Sequence, residues 1–433
     1  MASLRVNKLS KQAISSCFLM GLGQLLHKQY IKGFLYLAIE VGAIYFFVQY
    51  GFDNIRNFIT LGTQKADPWL GVKGDNSIIM LIMGIFTLLA TLFFFVIYIS
   101  CIKDAQKTSD RVSRGLEPLL FEDEIKEFLD EKFYKTVLFL PIVGVCVFNI
   151  IPIIFMIFIA FTNYGDSIVP PELVDWVGFD NFKKLLSLSE FSSSFLKILV
   201  WNVIWAVLST FINYFAGLGL ALLYNKECVK PKALWKAFPI LAYAIPGFIT
   251  LLAFKFMFSY GGPINQLIVN AGNSPIGFLD IDAKWMARLI GLVVNMWIST
   301  PTIMLLASGI LSNIDKSYYE AAIIDGASKF KQFTKITLPF VLFSTLPVLI
   351  SQFVGNFNNF GIFYFLRGGL YMDGYFLASD TDLLINWLYN LSIDNNYYSI
   401  GAAISLVIFT ITSIISLIVY VKSPSYKQED TYK

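Results

Sequence analysis

The feature that most constrains this chain is a series of apolar runs, each long enough to cross a lipid bilayer. A spanning α-helix needs about 20 mostly apolar residues. Eight runs of that kind are present, at approximately 33–50, 77–102, 136–161, 196–224, 237–260, 285–311, 338–365 and 397–421. They predict an all-α, polytopic transmembrane helical bundle of about eight spans. Composition agrees. Charged residues make up 15% and hydrophobic residues 56%, whereas a soluble domain carries about 25% charged residues. The run 13–26 is apolar but short, so it reads as a re-entrant or interfacial helix. Arg5, Lys8 and Lys11 precede it, but no small-residue cleavage site follows. The segment is therefore read as mature protein rather than as a signal peptide.

Lysine and arginine set the orientation, because they concentrate on the cytoplasmic side. With the N-terminus inside, 23 of the 33 fall in cytoplasmic segments. Both termini and the loop 317–339 are then cytoplasmic. The net charge of +3 gives no reason to expect a nucleic-acid partner, and the natural partner of such a surface is membrane lipid. Cys17, Cys101, Cys146 and Cys228 are widely spaced and His27 is the single histidine, so neither a metal site nor a disulfide framework is expected. Glu40 and Lys255 fall inside predicted spans, where a centred charge costs about 2.5–3.5 kcal/mol. Lys255 lies near the outer end of its span and can snorkel; Glu40 has no partner visible in the sequence. The segment 117–135 carries both signs of charge and reads as a surface helix joining two leading spans to the other six.

The loop 317–339 is too patterned for a slack connection. Ser317-Tyr318-Tyr319-Glu320 fits a capping box, Ala321 to Ile324 continue a helix, and Gly326 is a natural stop. A second short helical piece is expected over 328–336, and Leu338-Pro339 opens the next span, proline being tolerated in a first turn. A structured loop between spans suggests a docking element. No GxxxxGK[ST] phosphate loop occurs in the chain, so an ATP-driven function would need its nucleotide site elsewhere.

Glu320-Ala321-Ala322, three residues, Gly326, nine residues, Ile336, one residue, Leu338-Pro339 resembles the EAA loop of ABC-importer permeases. In that family the loop docks into a cytoplasmic ATPase. The resemblance implies a coupling role for Glu320, Ala321, Ala322, Asp325, Gly326, Ile336, Leu338 and Pro339. It also implies a six-span type I permease core, a cytoplasmic ATPase dimer that binds the ATP, and no cofactor in this chain. A second homologous permease subunit and an extracellular sugar-binding lipoprotein are implied as partners. The segments 176–182, 243–249 and 262–265 resemble carbohydrate permeases, and 356–360 and 381–386 resemble the MalF-type maltose and maltodextrin permeases in particular. MalF-type chains of double-membrane bacteria carry a large insert after the third span. Here about thirty residues stand there, and 21–33 (GLGQLLHKQYIKG) resembles the Gram-positive branch. The implied organisation is 1–32 cytoplasmic or interfacial, 33–102 two extra spans, 103–135 linker, 136–421 permease core and 422–433 cytoplasmic tail, with the protein in the bacterial cell membrane.

A sugar path needs groups that both donate and accept hydrogen bonds, which amide side chains supply. Gln352, Gly355, Asn356 and Asn359 recur at i, i+3, i+4 and i+7, one helical face. Such a face turns to substrate or makes interhelical hydrogen bonds, worth about 0.6 kcal/mol on average. Ile298, Ser299 and Thr302, around Pro301, face the sugar by resemblance. The outer loop, with Tyr371, Asp373, Tyr375, Asp380, Asp382 and Asp394, meets the binding lipoprotein by resemblance. The expectation is a non-enzymatic permease subunit for maltose or maltodextrin-type sugars. Another sugar or glycerol phosphate is the alternative within the class. An ion-coupled secondary transporter would need matching broken-helix halves, and an intramembrane enzyme a nucleophile–base set; neither pattern is evident.

Overall fold

A computed structural model describes residues 9–422 except Pro68, Leu120, Leu188 and Glu227. The basic residues Arg5 and Lys8 and most of the 422–433 tail lie outside the described residues. The chain forms two compact units, 1–178 and 179–433. Among the described residues both are helical, with only isolated β-bridges. Among the described residues, seven helices are long and apolar enough to cross a membrane, and one bent pair raises the number to eight. This is a multi-pass membrane architecture.

In the first unit, two short helices, α1 (Lys11–Ser16) and α2 (Leu22–Leu26), precede the spans α3 (Tyr30–Thr60) and α4 (Ser77–Ser113). Asn76 caps α4, its carbonyl oxygen accepting from the amides of Ile78 and Ile79, a favoured N-cap chemistry. The helix runs on past its apolar stretch into the polar segment 103–113. A linker helix α5 (Phe121–Leu129) and the span α6 (Phe133–Ile159) complete the unit. Lys32 ties three elements together, with Nζ 2.7 Å from Asp104 and 2.7 Å from Glu124. Glu40 has a partner after all: its carboxylate accepts from the Met20 amide at 2.8 Å.

The second unit contains α7 (Asp180–Ser187), α8 (Ser189–Asn225), α9 (Lys232–Ala244), α10 (Gly247–Met257), α11 (Pro263–Asn270) and α12 (Lys284–Ser312). These are followed by α13 (Lys316–Ile324), α14 (Lys329–Gln332), α15 (Leu338–Phe357), α16 (Phe360–Arg367), α17 (Leu384–Tyr389) and α18 (Tyr398–Val421). The core is the seam between α8 and α12. A Cβ added to Gly217 would come within 2.6 Å of the Ile303 side chain, so this glycine permits the close approach. Trp201, Trp205, Val294 and Phe363 fill one end of the seam, and Tyr214, Leu218, Met304 and Val341 the other.

Two predicted spans are interrupted. The run 237–260 is not one helix: α9 and α10 meet at 93° across Ile245-Pro246. Proline disfavours helical geometry in the residue before it, and Ile245 is extended (φ −87°, ψ 131°). The run 338–365 stops at Phe357 and restarts at Phe360, because Asn359 leaves the helix and caps α16 through the Ile362 amide. Lys255 is exposed in the last turn of α10, as snorkelling requires.

One ion pair fixes the end of α16. Arg367 bonds Asp380 at 2.5 Å, the two side chains being 1% and 9% exposed. The same guanidinium donates to the carbonyls of Leu279, Asp280 and Ile281. Breaking a buried pair from one side costs about 3–5 kcal/mol, because the survivor stays charged and unpaired. Arg367→Ala should therefore lower the thermal midpoint of the detergent-solubilised protein sharply. Adding Asp380→Ala to it should recover part of the loss, which a thermal unfolding series would measure.

Candidate functional site

The 316–339 loop is a clasp of two short helices. Its start differs from the expected capping box: the N-cap is Asp315, not Ser317, and the Asp315 carboxylate accepts from the Ser317 amide at 2.9 Å. That bond holds the Asp315 carboxyl below the usual carboxylate range. An aspartate two residues earlier outcompetes the serine because a charged acceptor makes the stronger cap. The helix α13 ends in a Schellman motif. The Ala327 amide donates to the Ala322 carbonyl at 2.8 Å and the Gly326 amide to Ile323 at 3.0 Å, with Gly326 at φ +70°. Ser328 then caps α14, accepting from the Lys331 amide.

Side chains lock the two pieces together. The Gln332 amide donates to the Ala327 carbonyl at 2.9 Å, and the hydroxyls of Tyr319 and Thr337 lie 2.8 Å apart. A π-helical turn, Phe333–Thr337, joins α14 to α15 without a break in helical backbone. Residues 329–357 are thus one rod. Glu320, Ala321, Asp325, Gly326 and Pro339 are exposed, while Ala322, Ile336 and Leu338 are half-buried. Beside them Ile324 and Phe330 are 86% and 76% exposed. Periodicity did not single out these two apolar side chains.

At the far end of the rod, the structure brings the predicted amides into a network. Asn356 donates to the Thr210 hydroxyl at 3.0 Å and accepts from the Asn295 amide at 3.2 Å. Asn359 donates to the Asn295 carbonyl oxygen at 3.2 Å. Asn359 is therefore not on the same helical face as Asn356; it sits beyond the helix end and reaches Asn295 from there. The carbonyls left free at the end of α15 are also satisfied. Trp205 donates its indole N–H to the Asn356 carbonyl, and Asn202 donates to that of Phe357. Asn202, Trp205, Thr210 and Asn295 escaped the sequence reading. For Asn202 and Asn295 the signal was available: each is an amide inside an apolar run, which is costly unless paired.

The remaining predicted residues lie around this network. Gln352 is half-buried, and its side-chain oxygen is buried without a partner. Gly355 faces open space, since a Cβ there would meet nothing within 4 Å. Ile298 packs on the α8–α12 core, Ser299 is half-buried and Thr302 is exposed. Beside Pro301 a cavity of about 540 Å³ is lined by Phe238, Trp297 and Thr300 among others, and the Thr300 hydroxyl is buried and unpartnered. Of the outer-loop residues, Tyr371, Asp373 and Asp394 are exposed and Tyr375 is half-buried under the Lys197 ammonium. Asp380 and Asp382 are buried. They brace the loop from inside and cannot form its contact surface.

Residues 213–425 match the family model described as binding-protein-dependent transport system inner membrane component. The maltodextrin transport system permease protein MalC of Streptococcus pneumoniae is 35% identical to this chain, covering 97% of each. The chain belongs to that permease family. MdxF, a maltodextrin transport system permease protein of Bacillus subtilis, is 33% identical over 95% of each chain. A subunit of a bacterial ABC transporter that imports alginate shares the fold, with a TM-score of 0.55 at 22% identity over 68% of this chain and 96% of that one. This permease subunit thus has its family's fold, and its EAA loop and amide network sit at opposite ends of one rod.

Asp382 gives the permease a measurable pH signature. Burial pushes its carboxyl up to about 6 against the pull of the Ser379 amide and of Arg367. The folded state then holds the proton more tightly than the unfolded chain. Stability is fully present below the unfolded value near 4 and is lost as pH rises through about 6. The difference is on the order of 3 kcal/mol. Unfolding in urea should show higher stability at pH 5 than at pH 7, and Asp382→Asn should flatten that slope.

Proposed function

We propose that this chain conducts maltodextrin-type oligosaccharides inward by alternating access, powered by ATP hydrolysis on a separate ATPase dimer docked at the 316–339 loop. The carrying observation is the rod 329–357. It begins in a locked pair of short helices with an exposed apolar face and ends at Asn356, in contact with α8 and α12. A displacement of the loop is a displacement of that rod. The coupling residues are Glu320, Ala321, Ala322, Asp325 and Gly326 on α13 and its cap, with Ile336, Leu338 and Pro339 where the rod starts. ATP is bound by the partner; the chain itself is not an enzyme and uses no cofactor.

The sugar surface comprises Gln352, Gly355, Asn356 and Asn359 with Ile298, Ser299 and Thr302. Asn356 and Asn359 are bonded through Asn295, while the Gln352 side-chain oxygen is buried without a partner. A sugar's hydroxyls exchange for the asparagine bonds and serve the Gln352 oxygen, which keeps a polar site inexpensive in the membrane. A second homologous permease completes the path, and an extracellular sugar-binding lipoprotein delivers substrate. Both termini are cytoplasmic. The names of MalC and MdxF support maltodextrin. GanP of Bacillus subtilis, named for galactooligosaccharide transport and 33% identical over 94% of this chain, makes that sugar class the second reading.

Vesicles carrying the complete transporter should take up labelled maltodextrin only with ATP on the ATPase side. Uptake of galactooligosaccharide alone would replace the first reading by the second. Uptake driven by an ion gradient without ATP would end both. Gly326→Asp places a charged side chain on the exposed turn that ends α13 and should abolish uptake while the protein stays in the membrane. Survival of uptake with the ATPase still co-purifying would remove the coupling role. Asn356→Ala should weaken uptake without loss of assembly; unchanged sugar kinetics would remove Asn356 from the sugar surface.

A further inference from the structure

Residues 10–29 form a hairpin that the transport reading does not use. It packs on the first unit's own spans, α3 and α4. Its polar side is bonded inward. The Gln24 amide donates to the Cys101 carbonyl at 2.9 Å and to Asp104 at 3.0 Å, and the Ser16 hydroxyl accepts from the Gly23 amide at 2.9 Å. The His27 ring nitrogen lies 2.9 Å from the Ser109 hydroxyl. The backbone of the turn is served too. Tyr98 donates to the Cys17 carbonyl, and Glu40 accepts from the Met20 amide. Gly21, at φ +86°, lies so close to α3 that a Cβ would come within 2.1 Å of the Gly33 carbonyl oxygen.

The outward side is apolar around the turn. Phe18, at the tip, is 83% exposed, and Ile14 and Leu26 are exposed with it, while the exposed Lys11 and Lys28 stand at the end away from the tip. Depth follows from the helices it touches. The apolar part of α3 begins at Gly33 and that of α4 ends at Ile102, next to Lys103. Glu40 and Tyr98 lie inside those limits, by seven and four residues. At 1.5 Å per residue these two groups stand about 6 to 10 Å within the apolar zone. A turn in hydrocarbon must have its backbone groups satisfied, which is what Tyr98 and Glu40 do. An exposed phenylalanine at that depth meets acyl chains, and elements lying in an interface bury to about 5–10 Å.

We infer that residues 10–29 are a wedge inserted shallowly into one lipid leaflet, with Phe18 against acyl chains and Glu40 as the positioning residue that holds the turn. Glu40 thereby has a role: its side-chain oxygen accepts from an amide that lipid cannot serve. The leaflet is the cytoplasmic one if the orientation in the proposed function holds.

The test is spin-label accessibility in the complete transporter reconstituted in phospholipid vesicles, with the four native cysteines replaced by serine. A label at Phe18→Cys should collide with oxygen and be shielded from a water-soluble nickel chelate, whereas one at Glu131→Cys, exposed in the charged linker, should be open to nickel. Nickel access at position 18 equal to that at 131 would overturn the wedge. A label at 18 that is shielded while an impermeant reductant outside the vesicle reaches 131 in right-side-out vesicles would support the wedge and overturn the orientation. Glu40→Gln keeps an acceptor and should leave the shielding intact. Glu40→Leu should free the turn and raise label mobility and nickel access. No difference between the two variants would overturn the positioning role of Glu40.

Discussion

The structure of the second unit depends on one constraint: a helix that breaks inside a membrane must have its freed backbone groups satisfied by protein. The rod 329–357 breaks at Asn358. Its terminal carbonyls at Asn356 and Phe357 are taken by Trp205 and Asn202 of α8. The restart at Phe360 is capped by Asn359, and its carbonyl at Phe360 receives the Asn386 amide. The Leu384 amide in turn donates to Asn202. The break therefore fixes the positions of α8, α16 and α17 relative to the rod.

The same bonds explain why polar side chains are gathered here. Asn295 stands between Asn356 and Asn359, so α12 joins the network through a single amide. A seam of well-packed apolar side chains on either side excludes alternatives: Trp205 and Phe363 above, Tyr214 and Met304 below. Such an arrangement makes a polar patch inside a membrane affordable. At the other end of the rod, rigidity is supplied by capping and by Gln332 and Tyr319. The two ends have opposite chemistry: the loop is held by caps and locked side chains, the amide cluster by hydrogen bonds among side chains of several elements, and the proposed function assigns displacement to the first and hydrogen-bond exchange to the second.

Much of this was legible in the sequence, and the misses share a cause. The long apolar runs announced the spans, and the EAA pattern announced the loop. Runs of hydropathy do not register where a helix bends, so Ile245-Pro246 and Asn358 passed as continuous span. The capping box at Ser317 does not form because Asp315, two residues earlier, offers a charged acceptor to the Ser317 amide. Periodicity placed Asn356 and Asn359 together, and they do share a partner, but through a helix end that periodicity assumes away. Asp380 and Asp382 read as loop surface because composition cannot tell a solvated acid from one paired with a buried arginine, as Asp380 is, or bonded to the Ser379 amide, as Asp382 is. Glu40 was unassigned because its partner is a backbone amide, which carries no signature in the sequence.

The central claim is that the rod carries the loop's motion to the amide cluster as a rigid body. It is tested most directly by distances between paired spin labels in the complete transporter, at Lys329 and Gly355 along the rod, and at Gly355 and Lys284 across to α12. The account predicts that ATP binding leaves the first distance unchanged and shifts the second. A change along the rod with the second distance fixed would contradict it.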